Sequence, residues 1–396
     1  EMCIRDRFIL HTANLYLDKP FFSCLNLQYG QERRKRQREL FDAIINKVFE
    51  YKADALFITG NLLDAEHITE QTLQFLCERC EAIKPVPVVI IPGDTDPITK
   101  YSPYVLNTFP ENVIIMNTNI RNLWEWGKIP LVVYTLTEYD LKATNFTEII
   151  YPSGYDGRNH ILLSYDLPML NEKKELSTWF EKVPNVISYI GIGKGHRFKQ
   201  LYNTSQLTAC CCGLPDPISM EDTPPFGVLG IRFQSHDNQW EVSQIEHISL
   251  QKNYYAVINV DMSPITNKDE LYTQLRNELA KVQKPCVVHI RFSGIIFPSI
   301  LNDIPEVMNS IQEENLSFSW SFEGEIEGFE NVEDFREITV LSEFFKQITE
   351  EQKYAPNPSI SSIVKRARHL TAKVAGGVKL TIPTVETCEV PLEWNL

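Results

Sequence analysis

Between residues 8 and 250 short apolar runs alternate with stretches of helical spacing, and this alternation restricts the chain to a layered α/β fold. Phe8 to His11, Ala55 to Thr59, Val86 to Ile91, Val113 to Met116, Leu131 to Tyr134, Ile161 to Ser164 and Ile187 to Ile192 read as buried strands. Arg33 to Tyr51, Thr69 to Ile83 and Asn171 to Val183 carry helical spacing, with Leu40, Ile44, Ile45 and Val48 on one face. A polar cluster follows the C-terminal end of several strands, which is where α/β sheets place their sites.

Five such clusters stand in order: His11-Thr-Ala-Asn14-Leu-Tyr16-Leu-Asp18, Gly60-Asn61-Leu-Leu-Asp64, Gly93-Asp94-Thr95-Asp96, Leu162-Leu163-Ser164 and Gly193-Lys194-Gly195-His196. Taken singly, an Asn or Asp after a strand is a turn former or a helix cap. Taken together, they resemble the two-metal site of calcineurin-like metallophosphoesterases, in particular the SbcD-type DNA repair exonuclease subunit, whose motifs read DxH, GDxxD, GNHD, LLH and GHxH. The resemblance implies a four-layer metallophosphoesterase β-sandwich flanked by helices, α/β in class, followed by a small α+β capping domain.

The same resemblance implies that the chemistry is lost. Two-metal hydrolysis needs carboxylates and imidazoles converging on paired ions. Asn14 and Tyr16 stand where the family has Asp and His, and Asn61 stands at the bridging carboxylate. Asp94 replaces an Asn ligand, Thr95 the acid-supplying His, Ser164 a His ligand and Lys194 another, leaving His196 alone. A neutral amide binds a divalent ion more weakly than a carboxylate, and a phenol is a poor ligand at neutral pH. Asp18, Asp64 and Asp96 match acidic positions that orient loops. The expectation is therefore a vestigial site at Asn14, Tyr16, Asn61, Asp64, Asp94, Asp96, Ser164, Lys194 and His196, with no catalytic group and no resident cofactor. If a rebuilt site is active, Mn or Mg on Asp94 and His196 is the alternative. Lys194 is expected either to replace a metal as counter-charge to Asp94 and Asp64 or to reach solvent from an open loop.

Lys and Arg total 38 against 52 Asp and Glu, a net charge of -14, so any DNA contact has to be local. The densest basic run is Arg33, Arg34, Lys35, Arg36 and Arg38, placed by the pattern at the start of the first helix. There it opposes the helix dipole, and either DNA phosphate or nearby acids would offset it. Nine cysteines, with Cys210, Cys211 and Cys212 adjacent, form no disulfide framework and read as small buried residues of a reducing compartment. No apolar stretch suits a bilayer span or a signal peptide, which points to a cytoplasmic chain without membrane partners. Glu1 to Arg7 begin without an initiator Met and read as a fragment edge or a translation artefact.

From Tyr254 the order becomes strand, helix, strand, helix, strand, with Asn267 capping a helix and Glu270 three residues on. The expected organisation is a phosphoesterase domain over 8–250, a capping domain over 251–330 and a C-terminal helical docking segment over 331–396. Phe335, Ile338, Leu341, Phe344, Phe345 and Ile348 form one apolar stripe in that segment, either packed on its own cap or docked on a partner. By resemblance the partners are an SbcC-type SMC-like ATPase and DNA; a second copy of the chain is a further expected partner. The alternatives are an active metal-dependent phosphodiesterase or exonuclease, and a protein-interaction module using the vestigial cleft.

Overall fold

The computed structural model describes residues 6–21, 27–117, 122–126, 130–135, 156–167, 173–265, 267–284, 286–296, 298–311, 316–322, 325–326 and 347. The chain divides into two units, Glu1–Ala256 with Gln283–Val287, and Val257–Val282 with Val288–Leu396. The expected docking segment, 331–396, lies outside the described residues apart from 347, so the apolar stripe carries no structural statement.

Two six-stranded mixed sheets form the first unit. One contains β1 (Arg7–Thr12), β2 (Ala55–Thr59), β3 (Val88–Ile91), β4 (Val113–Ile115), β11 (Gly227–His236) and β12 (Gln239–Ser249), in the order β12-β11-β1-β2-β3-β4. The other contains β5 (Asn122–Trp126), β6 (Leu131–Thr135), β7 (Asn159–Ser164), β8 (Ile187–Ile192), β9 (Lys199–Asn203) and β10 (Thr208–Cys211), in the order β5-β6-β7-β8-β10-β9. β1 to β4 run parallel, as do β6, β7, β8 and β10, so their C-terminal loops gather at one end of each sheet.

The side-chain alternation of the strands sets the layers. On the first sheet Leu10, Leu56, Ile58, Val88 and Ile90 pack with Leu40, Ile44, Val48, Leu76 and Cys80 of α1 (Leu27–Glu50) and α2 (Glu70–Ala82). The opposite faces bring Ile9, Phe57, Val89 and Ile91 against Val133, Ile161, Leu163 and Tyr189, closing the two sheets on each other. Beyond them Val132, Leu162, Ile190 and Ile192 pack on Leu176, Trp179 and Phe180 of a later helix over Lys173–Phe180. The order is helices, sheet, sheet, helix, so the expected four layers are present. The cysteine triplet follows the same alternation: Cys210 and Cys212 lie between the sheets and Cys211 faces the helix side, all three buried as free thiols.

Helix starts follow local chemistry. Thr69 caps α2, its side chain accepting from Thr72 N–H at 3.3 Å. A single-turn α3 (Pro103–Leu106) is capped by Ser102 and has Pro at its first position. It makes the Lys173–Phe180 helix α4.

β13 (Tyr254–Asp261), β14 (Cys286–Ser293) and β16 (Leu316–Phe322), whose residues fall mostly in the second unit, form a sheet in the order β13-β14-β16. Helices α5 (Lys268–Leu279) and α6 (Pro298–Ser310) bury Leu271, Leu275, Leu279, Ile304 and Val307. Asn267 caps α5 by accepting from Glu270 N–H at 3.0 Å. Short β15 (Ile295–Ile296) and β17 (Glu325–Ile326) pair in parallel. Among the described residues no helix is long and apolar enough to cross a membrane.

Candidate functional site

The loops after β1 and β2 zip together beyond the strand ends. Asn14 N–H donates to Gly60 O, Tyr16 N–H to Asn61 O and Leu17 N–H to Leu62 O, each at 2.9 Å. This register holds Asn14, Tyr16, Asp18 and Asn61 at φ of 59°, 50°, 66° and 53°. Such left-handed backbone at non-glycine residues is costly and persists where the surroundings enforce it.

The amide orientations follow from partners that cannot change role. Asn61 Oδ1 accepts from Thr95 N–H at 3.0 Å, so its Nδ2 faces Asn14 Oδ1, Tyr16 Oη and Tyr165 Oη at 2.9, 3.0 and 3.1 Å. Asn14 Nδ2 faces the carbonyls of Gly193, Gly195 and Gly213 at 2.9, 3.2 and 3.4 Å, which leaves its Oδ1 to receive Asn61. Thr95 Oγ1 donates to Leu63 O at 2.8 Å and lies 3.1 Å from Asn61 Oδ1. Tyr165 Oη donates to Asp94 Oδ2 at 2.9 Å. The result is one connected network of amides and hydroxyls, stitching the β1, β2 and β3 loops to the loops after β7, β8 and β10.

Glycine is required where this stitching is tightest. A Cβ on Gly193 would fall 1.4 Å from Thr59 O, and one on Gly93 would fall 2.5 Å from Asn61 Oδ1. Beneath the network Asp96 is fully buried and accepts five hydrogen bonds. They come from Gly93, Asn61, Leu62 and Leu63 N–H at 2.7, 3.0, 2.9 and 3.2 Å and from Tyr104 Oη at 2.7 Å. Burial pushes its carboxyl up, and these donors oppose that shift. Asp18 likewise accepts from Thr69 N–H and Oγ1 at 2.9 and 2.8 Å, tying the first loop to the start of α2.

The remaining expected positions are held elsewhere. Asp64 pairs with His67 at 2.8 Å, and Ser164 Oγ donates to Asp166 O at 2.7 Å. Lys194 pairs with Asp166 at 2.6 Å, with its side chain 46% exposed. Of the two expectations for Lys194 the structure shows the open loop, where the ammonium pairs with Asp166. His196 Nδ1 lies 2.7 Å from Asp222 Oδ1. Burial raises the Asp222 carboxyl, but His196 and the N–H groups of Ile218 and Ser219 outweigh it and bring the net shift down.

The donor set does not fit a dimetal centre. The middle of the network presents the Asn61 NH2 group, which repels a cation, and Asn61 Oδ1 is already engaged by Thr95. Burial pushes the Tyr16 phenol up to about 12, so the phenolate a metal would require is disfavoured. Among the described residues no three His, Cys, Asp or Glu side chains are grouped to hold an ion.

The basic run also needs correction. The helix begins at Leu27, which moves Arg33 to Arg38 beyond the first turn and away from the dipole's positive end. Arg33 is 1% exposed, paired with Asp216 at 2.8 Å, donating to Pro217 O and lying 5.0 Å over the Phe21 ring. Arg36 bonds Glu32 and Asn253 at 3.2 and 3.3 Å, and Arg38 bonds Asp18 and Thr72 at 3.2 and 2.9 Å. Lys35 is exposed and lies 3.8 Å from Glu39, which leaves Arg34 without an ion pair among the described residues. Three of the five expected DNA contacts are thus spent on the fold.

Sequence reasoning missed Tyr165, Asp166, Tyr104 and Asp222. Tyr165 and Asp166 directly follow the fourth segment, and that adjacency was the available signal. Asp222 lies 26 residues from His196 with no motif between them.

No described protein family matches the sequence, and no curated protein matches it. Among solved structures, a dimetal phosphatase from Danio rerio is similar with a TM-score of 0.37 and 10% identity, covering 62% of this chain and 99% of its own. Purple acid phosphatase PPD1 from yellow lupin (Lupinus luteus) seeds is similar with a TM-score of 0.36 and 12% identity, covering 62% of this chain and 53% of its own. At such scores the likeness assigns no function, and the fold rests on the layers described above.

Proposed function

We propose that the chain is a catalytically silent metallophosphoesterase-type subunit that contributes architecture to a DNA-processing complex. The observation that carries this reading is the Asn61 amide, which joins the loops of both sheets by hydrogen bonds at the place where a phosphoesterase would need a bridging carboxylate. The SbcD-type assignment rests on the order of the five segments. It makes an SbcC-type SMC-like ATPase the expected partner, with DNA reached through the complex rather than through the first helix.

The reading with one rebuilt metal ion is less well supported. Asp96 spends both carboxylate oxygens on its own donors, Asp64 Oδ1 is engaged by His67, His196 Nδ1 by Asp222, and Asp94 is hydrogen-bonded to Tyr165, so the four face separate partners.

The test is metal content and phosphodiesterase turnover of the purified chain in excess Mn, using a chromogenic diester and linear DNA. Asp94→Ala/His196→Ala is the control. The expected result is no bound equivalent and no turnover that the double substitution changes. Co-expression with the ATPase is expected to give a stable complex on gel filtration. Cleavage that the double substitution abolishes would overturn the silent reading, and failure to form the complex would remove the partner.

A further inference from the structure

The loop that carries Lys194 and His196 also lines a cavity of about 750 Å³, bounded further by β9 and by residues 219–223. That volume exceeds what an inorganic ion needs and suits a small organic molecule. The charges on its wall are unequally committed. Lys194 is paired with Asp166, and Asp222 has one oxygen on His196 and the other on the N–H groups of Ile218 and Ser219. Arg197 has only its Nε bonded, to the Thr223 hydroxyl, and Lys199 has no carboxylate partner among the described residues. Against these two cations stands the exposed Glu221.

Two further features suit an anion with an apolar part. Gly195 turns the loop through a φ of 114° with open space above it. No backbone N–H of Gly195, His196 or Arg197 donates to protein among the described residues. Consecutive free N–H groups around a left-handed turn are a recurrent way of holding phosphate oxygens. Leu167 and Leu201 supply an apolar wall, while the Ser219 hydroxyl and Glu221 offer acceptors.

We infer that this cavity binds a nucleoside phosphate, with the phosphate on Arg197, Lys199 and the loop N–H groups and the base toward Leu201. The binding uses no side chain of Asn14, Asn61 or Thr95, and Gly195 meets that network only through its carbonyl, which accepts from Asn14, so the inference holds whether or not the chain is catalytically silent. The phosphate can belong to a free nucleotide or to the end of a nucleic-acid strand.

The test is calorimetric titration of the full chain with ADP, then with inorganic phosphate and with adenosine. ADP is expected to bind once per chain and more tightly than either half. Arg197→Ala and Lys199→Ala are expected to weaken it about tenfold each, as for the loss of one charged contact. Lys47→Ala, a cation on α1 distant in sequence, is expected to leave it unchanged. Displacement of ADP by a 5′-phosphorylated oligonucleotide, but not by its unphosphorylated counterpart, assigns the phosphate to a strand end. A lack of displacement assigns it to a free nucleotide. The inference is overturned if ADP does not bind up to about 10 mM. It is also overturned if phosphate binds as well as ADP, or if the two alanine variants bind ADP as the unmodified chain does.

Discussion

Single side chains hold this site by being fully spent. Asp96 receives four N–H groups and a phenol, so Asp96→Asn turns an NH2 toward donors and leaves at least one of them unpaired. The expected loss is about 2 to 4 kcal/mol of stability in urea unfolding. Asp64→Asn, at a partly exposed carboxylate bonded to His67, should lose less than about 1 kcal/mol. His11 is buried between Tyr189 Oη and Thr59 Oγ1 at 2.8 and 2.7 Å, and burial lowers its pKa from 6.5 to about 3. The unfolded chain therefore binds the extra proton between those values. Stability is full above pH 6.5 and falls as pH drops, by about 2 kcal/mol at pH 5. In His11→Gln the difference in unfolding free energy between pH 7 and pH 5 should shrink by that amount. The residue scale was also the least legible in the sequence. The resemblance singled out Asn14 and Asn61, but which way each amide points depends on the Gly193 and Thr95 backbone, far away in the chain.

At the scale of elements, the loops work because they approach closely and the strands because they alternate. Gly193→Ala would drive a methyl into Thr59 O and should unfold the chain or cost more than about 3 kcal/mol. Gly195→Ala, with nothing near its Cβ but a φ of 114°, should cost only about 1 kcal/mol, read by thermal unfolding. Helix α1 is anchored by the Arg33 to Asp216 pair, and Arg33→Met strands a buried carboxylate at a cost of about 3 kcal/mol, whereas Arg34→Ala should be neutral. The central strands were legible because every residue in β2, β3 and β8 is buried, giving apolar runs interrupted by no polar residue but Thr59 and Ser188. The edge strands β5 and β9 were not, since Asn122–Trp126 and Lys199–Asn203 each mix polar and aromatic residues without a continuous apolar run. The basic run misled for a related reason: a linear count of charges cannot tell a guanidinium aimed at Asp216 from one facing solvent.

For the whole molecule, the periodicity pointed to a layered α/β fold and the resemblance to its four layers, and the closing of the site followed from neither. Loops held by hydrogen bonds rather than by ions should be indifferent to chelators. The unfolding midpoint in excess Mn and in EDTA is expected to agree within about 1 °C, since a ligand that binds only the folded state would raise it. A clear upward shift with Mn would show that an ion does enter.

The Asn61 amide also bears on how this chain could change. A carboxylate at 61 would keep the Thr95 N–H, lose the donor that three oxygens share and face the Asn14 carbonyl oxygen as a like dipole. A cation site here therefore lies several substitutions away, and the first of them, at 61, costs hydrogen bonds the present chain keeps. Mutational drift can vary the rim of this molecule, while its centre stays locked against a stepwise gain of metal.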